Sequence, residues 1–287
     1  MGLNPGFHHF RIGQIRATVL YDGWLDHPLD GFLGGPRDEI ARFQRDHFLS
    51  ETRWPMDENC LFVQIGDQNI LIDTGLGARR WFGGHGGRLQ ESMAEAGIDP
   101  ASVTLVLLTH ADTDHAFGLV DAQGRRVFPQ ARIAVSKLEY EHWVDGIALD
   151  GKRPNPEWRS VTMRALAAYR EGAIWLQDGD RIVPGLTAIA TPGHSPGHFA
   201  FRLESEGDIL YVLGDAVHHQ VIELARPDWP FLWDFDPDLG VRSKRKILAM
   251  AAAEGALCHG FHFPWPGLGR LRRDGQGYVW VPRPLTL

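Results

Sequence analysis

Short apolar runs alternate along this chain with polar, glycine-rich breaks, and their spacing predicts the elements. Val103 to Leu108 is β-branched and leucine-rich and stops at Thr109, the pattern of a strand buried on both faces. Ile15 to Tyr21 and Asn59 to Thr74 predict an opening meander with turns at Asp22-Gly23 and Gly66-Asp67. Ala131 to Val135 predicts another strand. Leu186 to Ala190, His198 to Leu203 and Asp208 to Leu213 mirror that arrangement in the second half, the last two joined by a Glu-Ser-Glu-Gly turn. Helical spacing covers Pro36 to Leu49, with Pro at the first helical position and Ile40, Phe43 and Phe48 apolar, and Arg88 to Gly97, closed by its glycine. Further helices are predicted at Ser136 to Trp143, with Ser136 as cap and Glu139 three residues on, at Val161 to Tyr169, and at Val241 to Glu254. Strand, helix and strand around Arg88 to Leu108 form a β-α-β passage.

Composition narrows the class. With 287 residues, 44% hydrophobic and 23% charged, the chain can bury a large core, and it shows no repeat and no change of composition, so residues 1–287 are expected to form one layered domain. A formal net charge of −7 without a long basic stretch argues against a nucleic-acid partner. The nearest basic run, Arg242 to Lys246, opens a helical pattern and is expected to be its solvated face. No secretory h-region marks MGLNPGFHHFRIG, and nowhere do eighteen apolar residues run together, so a soluble, cytoplasmic protein with no membrane partner is expected. Cys60 and Cys258 each lie in an apolar run, as reduced core cysteines do.

The chemistry is concentrated after the Val103 to Leu108 strand. His110, Asp112, Asp114 and His115 follow Thr109 within six residues, and imidazole nitrogens and carboxylate oxygens on one loop can converge on one or two divalent cations. The competing reading is a polar loop after a strand. Three later motifs weigh against it: Thr191-Pro-Gly-His194-Ser-Pro-Gly-His198, Tyr211-Val-Leu-Gly-Asp215 and His259-Gly-Phe-His262, each placing His or Asp just after a short apolar run, where open α/β sheets carry their ligands. Ser195 lacks the setting of a nucleophile elbow, and Gly83 to Gly87 lacks the Lys and the strand-turn-helix setting of a phosphate-binding loop.

These motifs together resemble the metallo-β-lactamase superfamily, whose HxHxDH loop, distal His, bridging Asp and final His build a dinuclear centre. Asp112 stands where the family loop has its second His. The resemblance is nearest to the methyl parathion hydrolase and lactonase-like branch, through YDG near the start, VFPQARIAVSKLEYEHW, HGFHFPWPGLGRL and GYVWVP. It implies an α/β fold of the αβ/βα four-layer sandwich type. It also implies two divalent metal ions, zinc foremost with manganese or iron as alternatives. His110, Asp112 and His194 would hold the first, Asp114, His115 and His262 the second, and Asp215 would bridge them; Asp114 and Asp215 are the candidate catalytic carboxylates. Two cations sharing a water lower its pKa and stabilise the oxygen that gains charge, so hydrolysis of a small ester, lactone or phosphotriester is the expected reaction. The substrate is then a small molecule, and a homodimer is what the relatives suggest. Two other classes stay open. A carboxylate at Asp112 is compatible with the redox iron of flavodiiron proteins, although this sequence holds no flavin-binding domain, and a degenerate, non-catalytic metal-binding fold is the third reading.

Several residues carry two readings. Asp73, ending LIDTG, is either a turn residue or, as the resemblance implies, an acceptor that orients a ligand such as His110. Trp229, Phe231, Trp233 and Phe235 either wall an apolar pocket or pack beneath a loop. His198 is expected to pack or to bond to backbone, and His218, His219 and His259, close in sequence to Asp215 and His262, either support the centre or pack without touching it. His27, His47, His85 and His142 are expected on loops or helix surfaces. Lys152 to Trp158 is expected as a surface insertion beside the site.

Overall fold

Alternation along the strands gives each sheet two apolar faces, and the two sheets share one of them. A computed structural model describes residues 5–29, 33–78, 84–146 and 156–284; positions 152–155 of the expected insertion lie outside that range. The first sheet runs, in spatial order, β1 (Phe7–Ile12), β2 (Ile15–Pro28), β3 (Arg53–Ile65), β4 (Gln68–Ile72), β5 (Leu105–Leu107), β6 (Arg132–Ser136) and β7 (Ile174–Leu176). Its first four strands pair antiparallel, and β4 to β7 pair parallel. The second sheet runs β8 (Arg181–Val183), β9 (Leu186–Ala190), β10 (Phe199–Ser205), β11 (Asp208–Val212), β12 (Leu257–His259), β13 (Leu268–Asp274) and β14 (Gly277–Pro282), with only β11 and β12 parallel.

Among the described residues seven α-helices accompany the sheets: α1 (Arg37–Asp46), α2 (Leu89–Glu95), α3 (Thr113–Ala116), α4 (Lys137–Val144), α5 (Pro156–Ala168), α6 (Ile222–Ala225) and α7 (Pro237–Ala253). Ile70, Ile72, Leu105 and Leu107 point inward and share a buried cluster with Leu186, Phe201 and Leu210 of the second sheet. Their neighbours Leu71, Val106 and Leu108 point outward, against Met93 of α2, Trp143 of α4 and Leu166 of α5. On the far side Ile247, Leu248 and Ala251 of α7 pack on Tyr211 and Cys258. The layers are therefore α, β, β, α, the expected four-layer sandwich. Each buried leucine contributes about 1.5–3 kcal/mol, so packing on both faces fixes where the strand ends lie. Ile72 pairs with Leu107 and Val212 with His259, so the residues that follow these parallel strands collect at one edge.

Local expectations were overridden where tertiary pairing was stronger. Asp22-Gly23 is not a turn: β2 continues to Pro28 and absorbs the pair as a register shift against β3. Gly23 has φ +126, and a Cβ there would collide with the His85 carbonyl. The Asp22 carboxylate is fully buried and accepts the N–H groups of Leu76, Gly87 and Leu89 at 2.9, 3.0 and 2.7 Å. In α1 the expected apolar stripe is shorter, since Pro36 lies at the cap and Phe48 is 98% exposed beyond the helix end. Helix α7 begins earlier than its apolar pattern, because Asp236 caps it by accepting the Leu239 N–H at 2.9 Å. Cys60 and Cys258 are buried and free, as expected. Among the described residues no helix is long and apolar enough to cross a membrane.

Candidate metal centre

All seven predicted donors meet at the edge where β4, β5, β9, β11 and β12 end. His110, His194 and Asp215 offer donor atoms all within 4.8 Å of one another, and so do Asp114, His115 and His262. Asp215 touches both groups: Oδ2 lies 3.8 Å from His110 Nε2, 3.4 Å from His194 Nε2 and 3.3 Å from His262 Nε2, while Oδ1 lies 3.3 Å from His115 Nε2. Asp114 Oδ2 stands 3.7 Å from His115 Nε2 and 3.4 Å from His262 Nε2. Asp112 does reach the first group, with Oδ2 3.7 Å from His110 Nε2 and 3.4 Å from His194 Nε2. It caps α3 through its backbone carbonyl, which accepts from His115 and Ala116, and its carboxylate makes no cap bond.

The spacing of these atoms fits a cation better than a hydrogen-bond network. Donor and acceptor in an N–H···O bond sit about 2.7–3.2 Å apart, and every cross-distance here is longer. Ligand atoms about 2.0–2.1 Å from a tetrahedral ion are separated by about 3.3–3.4 Å, which matches. His110 Nε2, His115 Nε2 and Asp215 Oδ1 are buried without a hydrogen-bond partner, an arrangement that is costly unless something else satisfies them. The donor set of imidazole and carboxylate suits zinc and tolerates manganese or iron.

A second set of groups fixes which nitrogen each imidazole presents. Nδ1 of His115 lies 2.9 Å from Asp73 Oδ2, Nδ1 of His194 lies 3.0 Å from Asp234 Oδ1, and Nδ1 of His262 lies 3.1 Å from the Asp57 carbonyl. Each therefore aims Nε2 at the centre. Asp73 is thus an orienting acceptor, but of His115; its link to His110 runs through Thr109, whose hydroxyl donates to Asp73 Oδ2 at 2.8 Å and lies 3.1 Å from His110 Nδ1. His198 accepts the Asp215 N–H on Nε2 at 2.9 Å and meets Thr191 Oγ1 on Nδ1 at 2.8 Å, the backbone role expected of it.

Charge in the cluster is set by mutual pairing. Burial raises the Asp215 carboxyl, but the imidazoles of His115, His262 and His218 hold it well below the usual carboxylate range. Burial lowers His115, and Asp215, Asp73 and Asp114 outweigh it, holding its proton well above the usual range. A cation held at His115 would have to displace that proton. His218 stands 3.3 Å from Asp215 Oδ2 and 3.5 Å from Glu223 Oε2; burial opposes its charge, yet the two carboxylates raise it to about 10. Glu223 in turn accepts the His218 and His219 N–H groups at 2.7 and 2.8 Å and the Lys244 ammonium at 2.8 Å.

Some expectations need correction. Lys244, read as part of a solvated face, is 2% exposed because it spans Glu223 and the Trp229 carbonyl. His142 is buried in α4, not on a helix surface, and His27 lies half-buried within β2, where burial lowers its pKa and the nearby Asp114 carboxylate opposes that shift. His85 stacks on Trp24 at 4.1 Å. In the aromatic segment, Phe231 stacks on His218 at 3.7 Å and faces His194 at 5.9 Å, while Trp233 is exposed. Asp234 and Asp57 escaped the sequence reading, since no local spacing ties them to the histidines they hold, and Thr109, read only as the end of a strand, proves to link Asp73 with His110.

A family model described as the Metallo-beta-lactamase superfamily matches residues 53–259. The chain is similar to the N-acyl homoserine lactonase AttM of Azorhizobium caulinodans, 30% identical over 185 residues that cover 59% of this chain and 62% of the relative, and so less than two thirds of its length. It is also similar to the N-acyl homoserine lactonase AiiA of Bacillus thuringiensis subsp. kurstaki, 25% identical over 68% of this chain and 76% of that one. Among solved structures, AidC, a dizinc quorum-quenching lactonase in complex with a product, superposes with a TM-score of 0.91 at 28% identity, over 98% of this chain and 99% of that one. The hydrolase AbOPH of the beta lactamase superfamily superposes with a TM-score of 0.89 at 28% identity, over 99% and 100%. With the family match spanning more than half of a chain whose sheets deliver these donors to one edge, the chain belongs to the metallo-beta-lactamase superfamily.

Proposed function

We propose that this chain is a metal-dependent hydrolase that binds two divalent cations, zinc foremost, and opens small lactones or esters of the N-acyl homoserine lactone kind. The observation that carries the reading is the double donor cluster shared by Asp215. His110, Asp112 and His194 hold the first cation, Asp114, His115 and His262 the second, and Asp215 joins them. When bound, the pair of cations activates water and stabilises the oxygen that gains charge. The chain's own residues supply orientation: Asp73, Asp234 and the Asp57 carbonyl keep the imidazoles aimed, and Phe231 walls the His194 and His218 side with apolar surface. The similarity to AttM, AiiA and AidC, named as homoserine lactonases or as a quorum-quenching lactonase, supports the lactone class. The shared inter-sheet cluster supports one domain over residues 1–287.

The test is ring opening of N-hexanoyl-homoserine lactone by zinc-loaded protein, followed by proton release, beside a β-lactam and a phosphotriester. Lactone turnover that exceeds both and disappears in Asp215→Asn supports the reading. Turnover of the phosphotriester alone moves the chain to the methyl parathion hydrolase side of the branch, and no turnover with full zinc occupancy leaves a non-catalytic binding fold.

A further inference from the structure

Glu139 is fully buried, and its four hydrogen bonds come from three parts of the fold. On Oε1 it accepts the Ala111 N–H at 3.0 Å and the Trp143 Nε1–H at 2.9 Å; on Oε2 it accepts the Ser195 hydroxyl at 2.6 Å and the Gly197 N–H at 3.1 Å. Ala111 lies between His110 and Asp112, and Ser195 follows His194. One carboxylate therefore joins the two loops that supply the first donor group. Helix α4 presents it there: Ser136 caps the helix by accepting from Leu138 and Glu139, but the Glu139 carboxylate does not return to Ser136 as a capping box would have it. Gly197 permits the approach, since a Cβ on it would lie 2.5 Å from the Glu139 backbone nitrogen.

We infer that Glu139 is a positioning residue that sets the separation of His110 and Asp112 from His194, and so selectively supports the first cation. The inference rests on the metal reading above. All four partners are donors, and only a carboxylate offers acceptors on both oxygens. A glutamine has one acceptor oxygen and one NH2, so it can accept the backbone N–H of Ala111 or that of Gly197 but not both, and an NH2 on the His194 side keeps Ser195 only if that hydroxyl turns round to accept. No equivalent link joins Glu139 to Asp114, His115 or His262 among its bonds.

The experiment uses the full chain, stripped with a chelator and crystallised with limiting zinc, and reads the occupancy of each cluster by anomalous diffraction at the zinc edge. Glu139→Gln is expected to lower occupancy at the first cluster relative to the second by about tenfold or more. Ser195→Ala, which removes one bond on the His194 side, is expected to act in the same direction and more weakly, and it carries the test if Glu139→Gln does not fold. Trp143→Phe removes a bond to Glu139 without touching either loop, so it is expected to lower the melting temperature and leave the occupancy ratio as it is. Equal loss at both clusters, an unchanged ratio in Glu139→Gln and Ser195→Ala, or a Trp143→Phe that reproduces the change would overturn the inference while leaving the metal reading intact. A native chain that takes zinc at neither cluster overturns both.

Discussion

Oδ2 of Asp73 lies 2.9 Å from Nδ1 of His115, and the same carboxylate receives the Thr109 N–H and hydroxyl at 2.8 Å each. Asp73 sits at φ +58, a left-handed conformation that Asp and Asn tolerate. Asp73→Asn keeps the size and the backbone but loses the charge that holds the His115 proton on Nδ1. Groups of this kind are worth about 10–100-fold in metal affinity. Zinc titration of the chelated protein should show the second site weakened by that range, and an unchanged second site would remove Asp73 from its assigned role.

Asp234 plays the matching part for His194, with Oδ1 3.0 Å from Nδ1 and the side chain buried. Replacing it with Asn presents an amide that can donate where an acceptor is needed, which favours the tautomer with the proton on Nε2. The first site should then lose about tenfold or more in zinc affinity, with the second site unaffected. Cobalt substitution gives a direct check, because the visible absorption of the first ion should change while that of the second persists.

Donors were legible in the sequence and their supports were not, for a geometric reason. His110, Asp112, Asp114 and His115 share one loop, and His194, Asp215 and His262 each follow an apolar run, so residue type and local order identify them. Asp57 and His262 are 205 positions apart and His194 and Asp234 are 40 apart, so only the closed fold brings them together. Glu139 was visible as part of a helix cap, but not as the group joining two loops. The core strands were likewise legible from their short apolar runs, whereas Asp22-Gly23 has strong local turn character that pairing with β3 overrode. Lys244 shows the same limit: a run of like charges suggests solvent, and buried Glu223 reverses it.

Buried neutral histidines should make stability fall as the pH drops below 6.5. His259 is buried with neither ring nitrogen bonded, and burial lowers its pKa to about 3; burial likewise lowers His219 to about 4, with Nδ1 accepting the Val221 and Ile222 N–H groups at 3.2 and 3.3 Å. Both pKa values lie below the unfolded 6.5, so their neutral-state stability is complete above pH 6.5. As pH falls from there toward the folded values, the unfolded chain binds protons that the native state refuses, and stability is lost. Between pH 6.5 and 5 each contributes about 2 kcal/mol of that loss. Denaturant unfolding of chelated protein should show it, and His259→Leu should shrink the drop between pH 7 and 5 by about 2 kcal/mol. An identical slope in the variant would mean that His259 is protonated or solvated in the native state.

On the proposed reading Asp112 is a metal ligand standing where the family loop would carry its second histidine, and its geometry decides between two consequences. A side chain too short to reach would leave the first cation with only His110, His194 and Asp215. Oδ2 instead lies 3.4 Å from His194 Nε2 and 3.7 Å from His110 Nε2, so Asp112 is in place to bind. Three carboxylates, Asp112, Asp114 and Asp215, then face two divalent cations, where a histidine at 112 would leave two. The extra negative charge weakens the Lewis acidity of the pair, and oxygen in place of nitrogen moves the first site's preference toward harder ions such as manganese or iron(II). The first site should therefore bind zinc more weakly than the second, and Asp112→His should tighten it by about tenfold, equivalent to about 1.4 kcal/mol. The same substitution should reduce the manganese-to-zinc preference at that site while leaving the second unchanged. Calorimetric titration of both forms with each metal reads all three quantities, and tighter first-site zinc binding by the native Asp would falsify the charge argument.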